Sequence, residues 1–169
     1  MSHDPIAHLA DRVRPDFPLL AREVGGQPVV FLDNASTTPK PRPVISAVTA
    51  YYEECSANVH RGVHVLGAES TRRYDEARLE IASLIGAKPD ELVMVRGTTE
   101  AINLVAKSWG RQNIGEGDEI IVSHLEHHAN IVPWQQLCQE VKAKLRVIPV
   151  DDTGQVILED YARLLSPRT

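Results

Sequence analysis

Two hydrophobic periodicities alternate along the chain. Short runs rich in Val, Ile and Leu predict strands, and longer stretches with apolar residues three and four positions apart predict helices. The predicted strands are 29–32, 92–95, 119–123 and 145–150. The predicted helices are 5–14, 44–54, 67–85, 100–109, 131–143 and 158–165. Helices that alternate with short apolar strands indicate an α/β layered fold with a largely parallel sheet.

Three of the predicted strands lead directly into polar loops, at 33–38, 96–99 and 124–130. In a parallel α/β sheet, ligands collect at the carboxyl ends of the strands. We therefore expect functional residues in these three loops.

The segment Arg96-Gly97-Thr98-Thr99 lies between a predicted strand and a predicted helix. The first backbone N–H groups of a helix have no partners within it and carry the positive end of its dipole. Gly97 allows an anion to approach the backbone, and the threonine hydroxyls add donors. The junction is therefore a candidate phosphate site. The alternative is an ordinary turn in which Thr98 or Thr99 caps the helix.

The loop after strand 119–123 contains His124, Glu126, His127 and His128. One interpretation places an imidazole over an aromatic cofactor, where it moves protons near neutral pH. A second has the histidines hydrogen-bonded within the loop only. A third uses the H-x-x-H-H spacing for zinc. No cysteine or further carboxylate stands at ligand spacing and the metalloprotease pattern H-E-x-x-H is absent, so we predict no metal site.

Composition and charge narrow the classes of function. A net charge of −5 and a pI near 5.8 argue against broad binding to nucleic acid or anionic membranes. No apolar run approaches the roughly 18 residues of a membrane span, and the first residues lack a signal-peptide pattern. Cys55 and Cys138 are too far apart in sequence to suggest a disulfide framework or a metal knuckle. We expect a protein of the reducing cytoplasm.

Four colinear segments together resemble the amino-terminal part of the SufS-type (group II) cysteine desulfurases, which are pyridoxal-phosphate enzymes of fold type I in the class V aminotransferase group. The segments are Asp33–Thr38, Asn58–His64, Val95–Ala106 and Glu126–Trp134. The resemblance extends from about Val13 to the last residue. It implies the first half of the large, mostly parallel-sheet domain of these enzymes at 16–169, after an N-terminal helical segment at 1–15.

The resemblance assigns cofactor-binding roles to residues in two loops. Gly97, Thr98 and Thr99 match the cup that holds the phosphate of pyridoxal 5'-phosphate. His127 matches the imidazole that stacks on the pyridine ring and assists proton transfer, so it is the expected catalytic residue of this chain.

The resemblance also assigns substrate-binding roles. Asn34 and Ala35 match part of the wall near the substrate carboxylate. His60 and Arg61 match a pair at the mouth of the active site, where positive charge steers that carboxylate.

Several functional residues of the family match nothing in this chain. They are the lysine that carries the cofactor, the aspartate that binds its ring nitrogen, the substrate-binding arginine and the nucleophilic cysteine. The resemblance places all four beyond the equivalent of Thr169. We therefore expect a fragment of a longer enzyme, without activity by itself.

The resemblance implies that the complete enzyme converts L-cysteine to L-alanine. The sulfur passes to an enzyme cysteine as a persulfide and then to an acceptor protein, for iron–sulfur cluster assembly. A homodimer is expected. Two alternatives remain open: a selenocysteine lyase of the same family, and a non-catalytic fragment that acts only by association with another chain.

Overall fold

The computed structural model describes residues 5–169. The chain divides into two compact units between Leu92 and Val93.

The first unit is mainly helical. Its elements are the helices α1 (Pro5–Val13), α2 (Arg42–Glu54) and α3 (Val65–Leu84), the antiparallel strands β1 (Glu23–Val24) and β2 (Gln27–Pro28), and three short 3-10 turns. Gly25 and Gly26 connect the strands with φ values of 61° and 75°, as a tight hairpin turn requires. Prolines lie at the start of α2, where the N–H group that proline lacks would have no partner within the helix.

A hydrogen-bonded serine connects the end of α2 to α3. The Ser70 hydroxyl donates to the carbonyl oxygen of Cys55 and accepts from the Ala57 N–H at 3.2 Å. Ser70 and Cys55 are both buried, so this contact belongs to the core of the unit. The polar side chain is tolerated there because its hydrogen-bonding capacity is satisfied.

The second unit contains a parallel strand pair covered by helices. Its elements are α4 (Thr98–Val105), a π-helical turn (Ala106–Gly110), α5 (Arg111–Asn113), β3 (Glu119–Ser123), a 3-10 turn (His128–Asn130), α6 (Val132–Val141), β4 (Lys144–Ile148) and α7 (Leu158–Leu164). Strands β3 and β4 pair in register, from Glu119 opposite Lys144 to Ser123 opposite Ile148. Buried Val122, Leu137 and Cys138 form the core.

Most of the predicted elements are confirmed to within about three residues, but two predicted strands are wrong. Residues 29–32 and 92–95 form no strand, and Leu32 and Val93 are 90% and 64% exposed. A strand requires a hydrogen-bonded neighbour, and in residues 5–169 neither segment pairs with another strand. The α/β class with a parallel pair is confirmed, in sheets of only two strands.

No helix of the described residues is both long enough and apolar enough to cross a membrane.

Candidate functional site

The start of α4 presents unused backbone donors. Gly97 is the N-cap residue and makes no side-chain cap, and the first helical bond is donated by the Ala101 N–H to the Gly97 oxygen at 3.1 Å. The N–H groups of Thr98 and Thr99 therefore precede the hydrogen-bonded part of the helix. Both threonines lie inside the first turn and are exposed, so the alternative in which one of them is the N-cap is wrong.

The space beside Gly97 is open. A Cβ added to Gly97 would have no neighbouring atom within 4 Å among the residues that the structure describes. Backbone donors without partners, two exposed hydroxyls and free space on one helix end suit a phosphate group. The residues present thus fit the phosphate of a cofactor.

The charges around this helix end are arranged in a pair. Glu100 Oε2 accepts the backbone N–H of Arg96 at 2.8 Å and lies 3.4 Å from the Arg96 Nε. A carboxylate in the first turn is favoured by the helix dipole. The guanidinium of Arg96, 94% exposed, offsets the negative charge that Glu100 adds beside the candidate phosphate site.

The histidine loop follows β3 and is fixed by side-chain hydrogen bonds. Ser123 donates to Glu126 Oε1 at 2.7 Å, and the Asn130 amide donates to Glu126 Oε2 at 2.8 Å. These two donors lower the pKa of Glu126 below its usual value, because they bind the ionised carboxylate. The hydrogen bond from Asn130 has the larger effect. The Asn130 oxygen accepts the indole N–H of Trp134 at 2.9 Å.

His127 lies within this loop and is exposed. Its Nδ1 accepts the N–H of Ala129 at 3.2 Å, so the neutral ring carries its proton on Nε2. The His128 ring lies against it, with centroids 3.9 Å apart and planes inclined at 36°. The exposed Nε2–H of this fixed imidazole is available as a hydrogen-bond donor.

Both features occur in the second unit, where α4 packs against the turn His128–Asn130. The helix that begins at Thr98 therefore contacts the segment that follows His127. Among residues 5–169, no group of three or more His, Cys, Asp or Glu side chains is arranged to hold a metal ion.

Asn34 and Ala35 lie in an exposed turn of the first unit. The Asn34 amide donates to the Phe31 oxygen at 3.4 Å, and the Asn34 carbonyl accepts the Thr38 hydroxyl at 3.1 Å. Local hydrogen bonds thus define the turn.

His60 and Arg61 lie in the loop before α3, which holds His60 by three contacts. The His60 N–H donates to the Thr71 hydroxyl at 2.9 Å, Nε2 lies 3.5 Å from Asp75 Oδ1, and the ring meets Tyr74 edge-on at 5.5 Å. These contacts stabilise a left-handed backbone with φ of 63° at His60. Within the described part of the chain, the Arg61 guanidinium has no ion pair.

Sequence reasoning missed the side chains that support these histidines. Thr71, Tyr74 and Asp75 share one face of α3 because they are spaced three and four residues apart. Glu126 and Asn130 are also four apart, but they lie in a loop, where spacing alone predicts no contact.

Residues 30–169 match the family model of the class-V aminotransferases. A cysteine desulfurase of Synechococcus elongatus is 57% identical over 159 residues, which are 94% of this chain and 25% of that protein. A cysteine desulfurase of Klebsiella pneumoniae is 52% identical over 160 residues, which are 94% of this chain and 39% of that protein. The chain thus spans well under half the length of these curated relatives.

Solved structures give the same result. The apo cysteine desulfurase of Thermococcus onnurineus superposes with a TM-score of 0.82 at 38% identity, over 90% of this chain and 36% of that one. The cysteine desulfurase CsdA of Escherichia coli superposes with a TM-score of 0.75 at 38% identity, over 94% of this chain and 39% of that one. A C-DES variant with glycine covalently linked to its PLP cofactor shares the fold. It superposes with a TM-score of 0.72 at 21% identity, over 92% of this chain and 38% of that one. These similarities confirm the resemblance that the four sequence motifs indicate.

Proposed function

The chain belongs to the class-V aminotransferase family, and we propose that it forms the amino-terminal part of a PLP-dependent cysteine desulfurase. One structural observation supports this most directly. An uncapped helix start with two exposed threonines and a fixed, exposed imidazole lie on contacting segments of one compact unit. Anion donors beside an imidazole suit a cofactor that has both a phosphate and an aromatic ring.

In this proposal, the second unit holds the cofactor. The N–H groups and hydroxyls of Thr98 and Thr99 bind the phosphate, and Gly97 leaves room for it. His127 stacks on the ring and assists proton transfer with the reacting substrate. When bound, pyridoxal phosphate supplies an electron sink for the α-carbon of an amino acid.

The first unit binds the substrate in the same proposal. L-Cysteine is recognised through its carboxylate by the Arg61 guanidinium and His60, and the turn at Asn34 and Ala35 supplies part of the wall near that carboxylate. The product is L-alanine, and the sulfur leaves as a persulfide on an enzyme cysteine. An acceptor protein takes it up for iron–sulfur cluster assembly in the cytoplasm. The active form is a homodimer.

The buried thiols of this chain have another role. Cys55 and Cys138 are both almost fully enclosed, and burial raises the pKa of the Cys138 thiol. A nucleophilic cysteine needs access and an easily formed thiolate. We therefore assign these two cysteines to packing and expect the 169 residues alone to release no alanine from cysteine.

A chimera tests the proposed function. Residues 10–169 replace the matching segment of the Klebsiella pneumoniae desulfurase, and alanine released from L-cysteine is measured. We expect activity close to that of the parent, and a loss of about a hundredfold or more in kcat for His127→Ala. The matched control is His124→Ala, in the same loop as His127. His8→Ala cannot serve, because His8 lies outside the exchanged segment. A folded, cofactor-loaded chimera without activity, or equal effects of the two alanines, would refute the proposal.

A further inference from the structure

A chain of three side-chain hydrogen bonds spans the segment that contains His127. It runs from the Ser123 hydroxyl to Glu126, from Glu126 to the Asn130 amide, and from the Asn130 oxygen to the indole of Trp134, with distances of 2.7, 2.8 and 2.9 Å. It therefore connects the last residue of β3 with the first turn of α6.

Each member of this chain is set in one orientation. The Trp134 indole can only donate, so it fixes the Asn130 oxygen as the acceptor and directs the Asn130 NH₂ to Glu126. Position 126 must then present an acceptor to Asn130. The second carboxylate oxygen of Glu126 accepts from Ser123, so both oxygens are used.

The bridge closes a loop whose members are His127, His128 and Ala129. Across that loop, the Asn130 N–H also donates to the His127 oxygen at 2.8 Å. The bridge is partly buried, whereas the His127 ring is exposed and, within residues 5–169, makes one hydrogen bond, with the Ala129 N–H. The bridge adds a side-chain link to the backbone bond from the Asn130 N–H and to the one from the Ile131 N–H to the His128 oxygen at 3.1 Å, and together they set the geometry of that ring contact.

We infer that Glu126 is a positioning residue that acts through His127. Its bridge to Asn130 holds the loop so that the Ala129 N–H stays on Nδ1, which keeps the ring proton on Nε2 and fixes the direction in which the ring presents that N–H. This inference rests on the proposed function for the role of His127, but the geometry it describes is measurable in the chain itself.

The first measurement is the tautomer of His127, read from ring nitrogen shifts by NMR on the 169-residue chain. The parent is expected to show a single Nε2–H form. Glu126→Ala should give a mixture of the two tautomers. Glu126→Gln should restore the single form, because its oxygen can face Asn130 and its amide can face Ser123, whose hydroxyl rotates. Trp134→Phe, which removes only the indole donor from the chain, should give an intermediate result.

The matched control is Glu140→Ala, which removes a glutamate of the same unit that pairs with Arg111 at 2.8 Å. It should leave the tautomer of His127 unchanged. If Glu126→Ala keeps the single tautomer while folded, the inference is wrong. If Glu126→Ala unfolds, Trp134→Phe decides, and an unchanged tautomer there is equally contrary.

The second measurement is kinetic and uses the chimera. Displacing a group of the reaction by about an ångström costs on the order of a hundredfold. Glu126→Ala should therefore lower kcat about ten- to a hundredfold with little change in KM, and Glu126→Gln should recover most of the loss. A loss confined to KM would overturn the inference. A His127→Ala chimera with full activity would instead refute the proposed function, and the tautomer result would still decide the role of Glu126.

Discussion

The backbones of Gly62 and Gly67 lie so close that a Cβ on either would come within 2.7 Å of the Cα of the other. Only glycine permits this approach, which sets the loop of His60 and Arg61 against the first turn of α3. The same turn is capped by His64, whose Nδ1 accepts the Gly67 N–H at 3.2 Å. A glycine contact and a histidine cap, both made at Gly67, thus hold the loop.

Gly67→Ala should destabilise the first unit. Alanine is favoured over glycine inside a helix by about 1 kcal/mol, so helix propensity alone predicts a higher free energy of unfolding. Steric overlap with Gly62 should reverse the sign and lower the free energy of unfolding by about 1–3 kcal/mol. Amide exchange at His60, read by NMR, should accelerate as well.

Gly115→Ala is the control for that substitution. Its Cβ would meet only Asp118 Oδ2, at 3.8 Å, which is ordinary contact. It should leave the unfolding free energy nearly unchanged. A Gly67→Ala protein as stable as the parent would show that the loop does not depend on the glycine contact.

The secondary structure shows where periodicity suffices. Helix α3 and strand β3 were predictable because each carries its own pattern, and β3 also has its neighbour β4 in this chain. Residues 92–95 have the composition of a strand but lack a partner among the described residues. Composition predicts that a segment is suited to a sheet, and only a neighbouring strand makes it one.

Thr99→Ala should weaken binding of pyridoxal phosphate to the isolated chain. One lost hydrogen bond to a charged group is worth about 1.5–3 kcal/mol, or about 10- to 150-fold in the dissociation constant. The measurement is a titration followed by cofactor absorbance, with inorganic phosphate as competitor. Thr49→Ala removes an exposed hydroxyl on α2 that, in the described part of the chain, bonds only the Ile45 carbonyl, at 3.0 Å, and it should have no effect. Equal affinities of the Thr99 and Thr49 variants would contradict the phosphate site.

The candidate site was predictable only in part. Thr98 and Thr99 could be placed because a helix start is a local feature of the sequence, and its donors follow from backbone geometry. The side chains that support His127 could not be predicted, since the orientation of Asn130 depends on the indole of Trp134 across a helix start. Hydrogen bonds between side chains in a loop depend on its three-dimensional path, which no periodicity encodes.

Acid should loosen α3 at one identifiable group. Glu69 accepts hydrogen bonds from Arg72 and Arg73, both at 2.7 Å, and these lower its pKa from 4.5 to about 2. A lowered pKa in the folded state means that the stabilisation is present above pH 4.5. It is lost as the pH falls from there through about 2. Thermal midpoints followed by far-UV circular dichroism should therefore fall across this window.

Two variants isolate that carboxylate. Glu69→Gln should flatten the fall of the midpoint between pH 4.5 and 2. Glu80→Gln, an exposed glutamate of α3 that makes no ion pair within residues 5–169, should keep the parent's dependence. A Glu69→Gln profile parallel to that of the parent would locate the acid sensitivity elsewhere.

The isolated chain should self-associate. Strand β3 pairs with β4. Among residues 5–169, its other edge makes one backbone hydrogen bond, from the Glu119 N–H to the Arg168 oxygen at 2.9 Å. An open strand edge is a template for pairing with another chain. Exposed apolar side chains of the same unit, among them Val93 and Trp109, add apolar surface whose burial would favour association.

Light scattering after size exclusion should show a mass that rises with concentration. Val93→Lys should reduce the association, whereas Val63→Lys, at a fully exposed position of the first unit, should not. A parent chain that stays monomeric at every concentration tested would mean that these surfaces do not drive association.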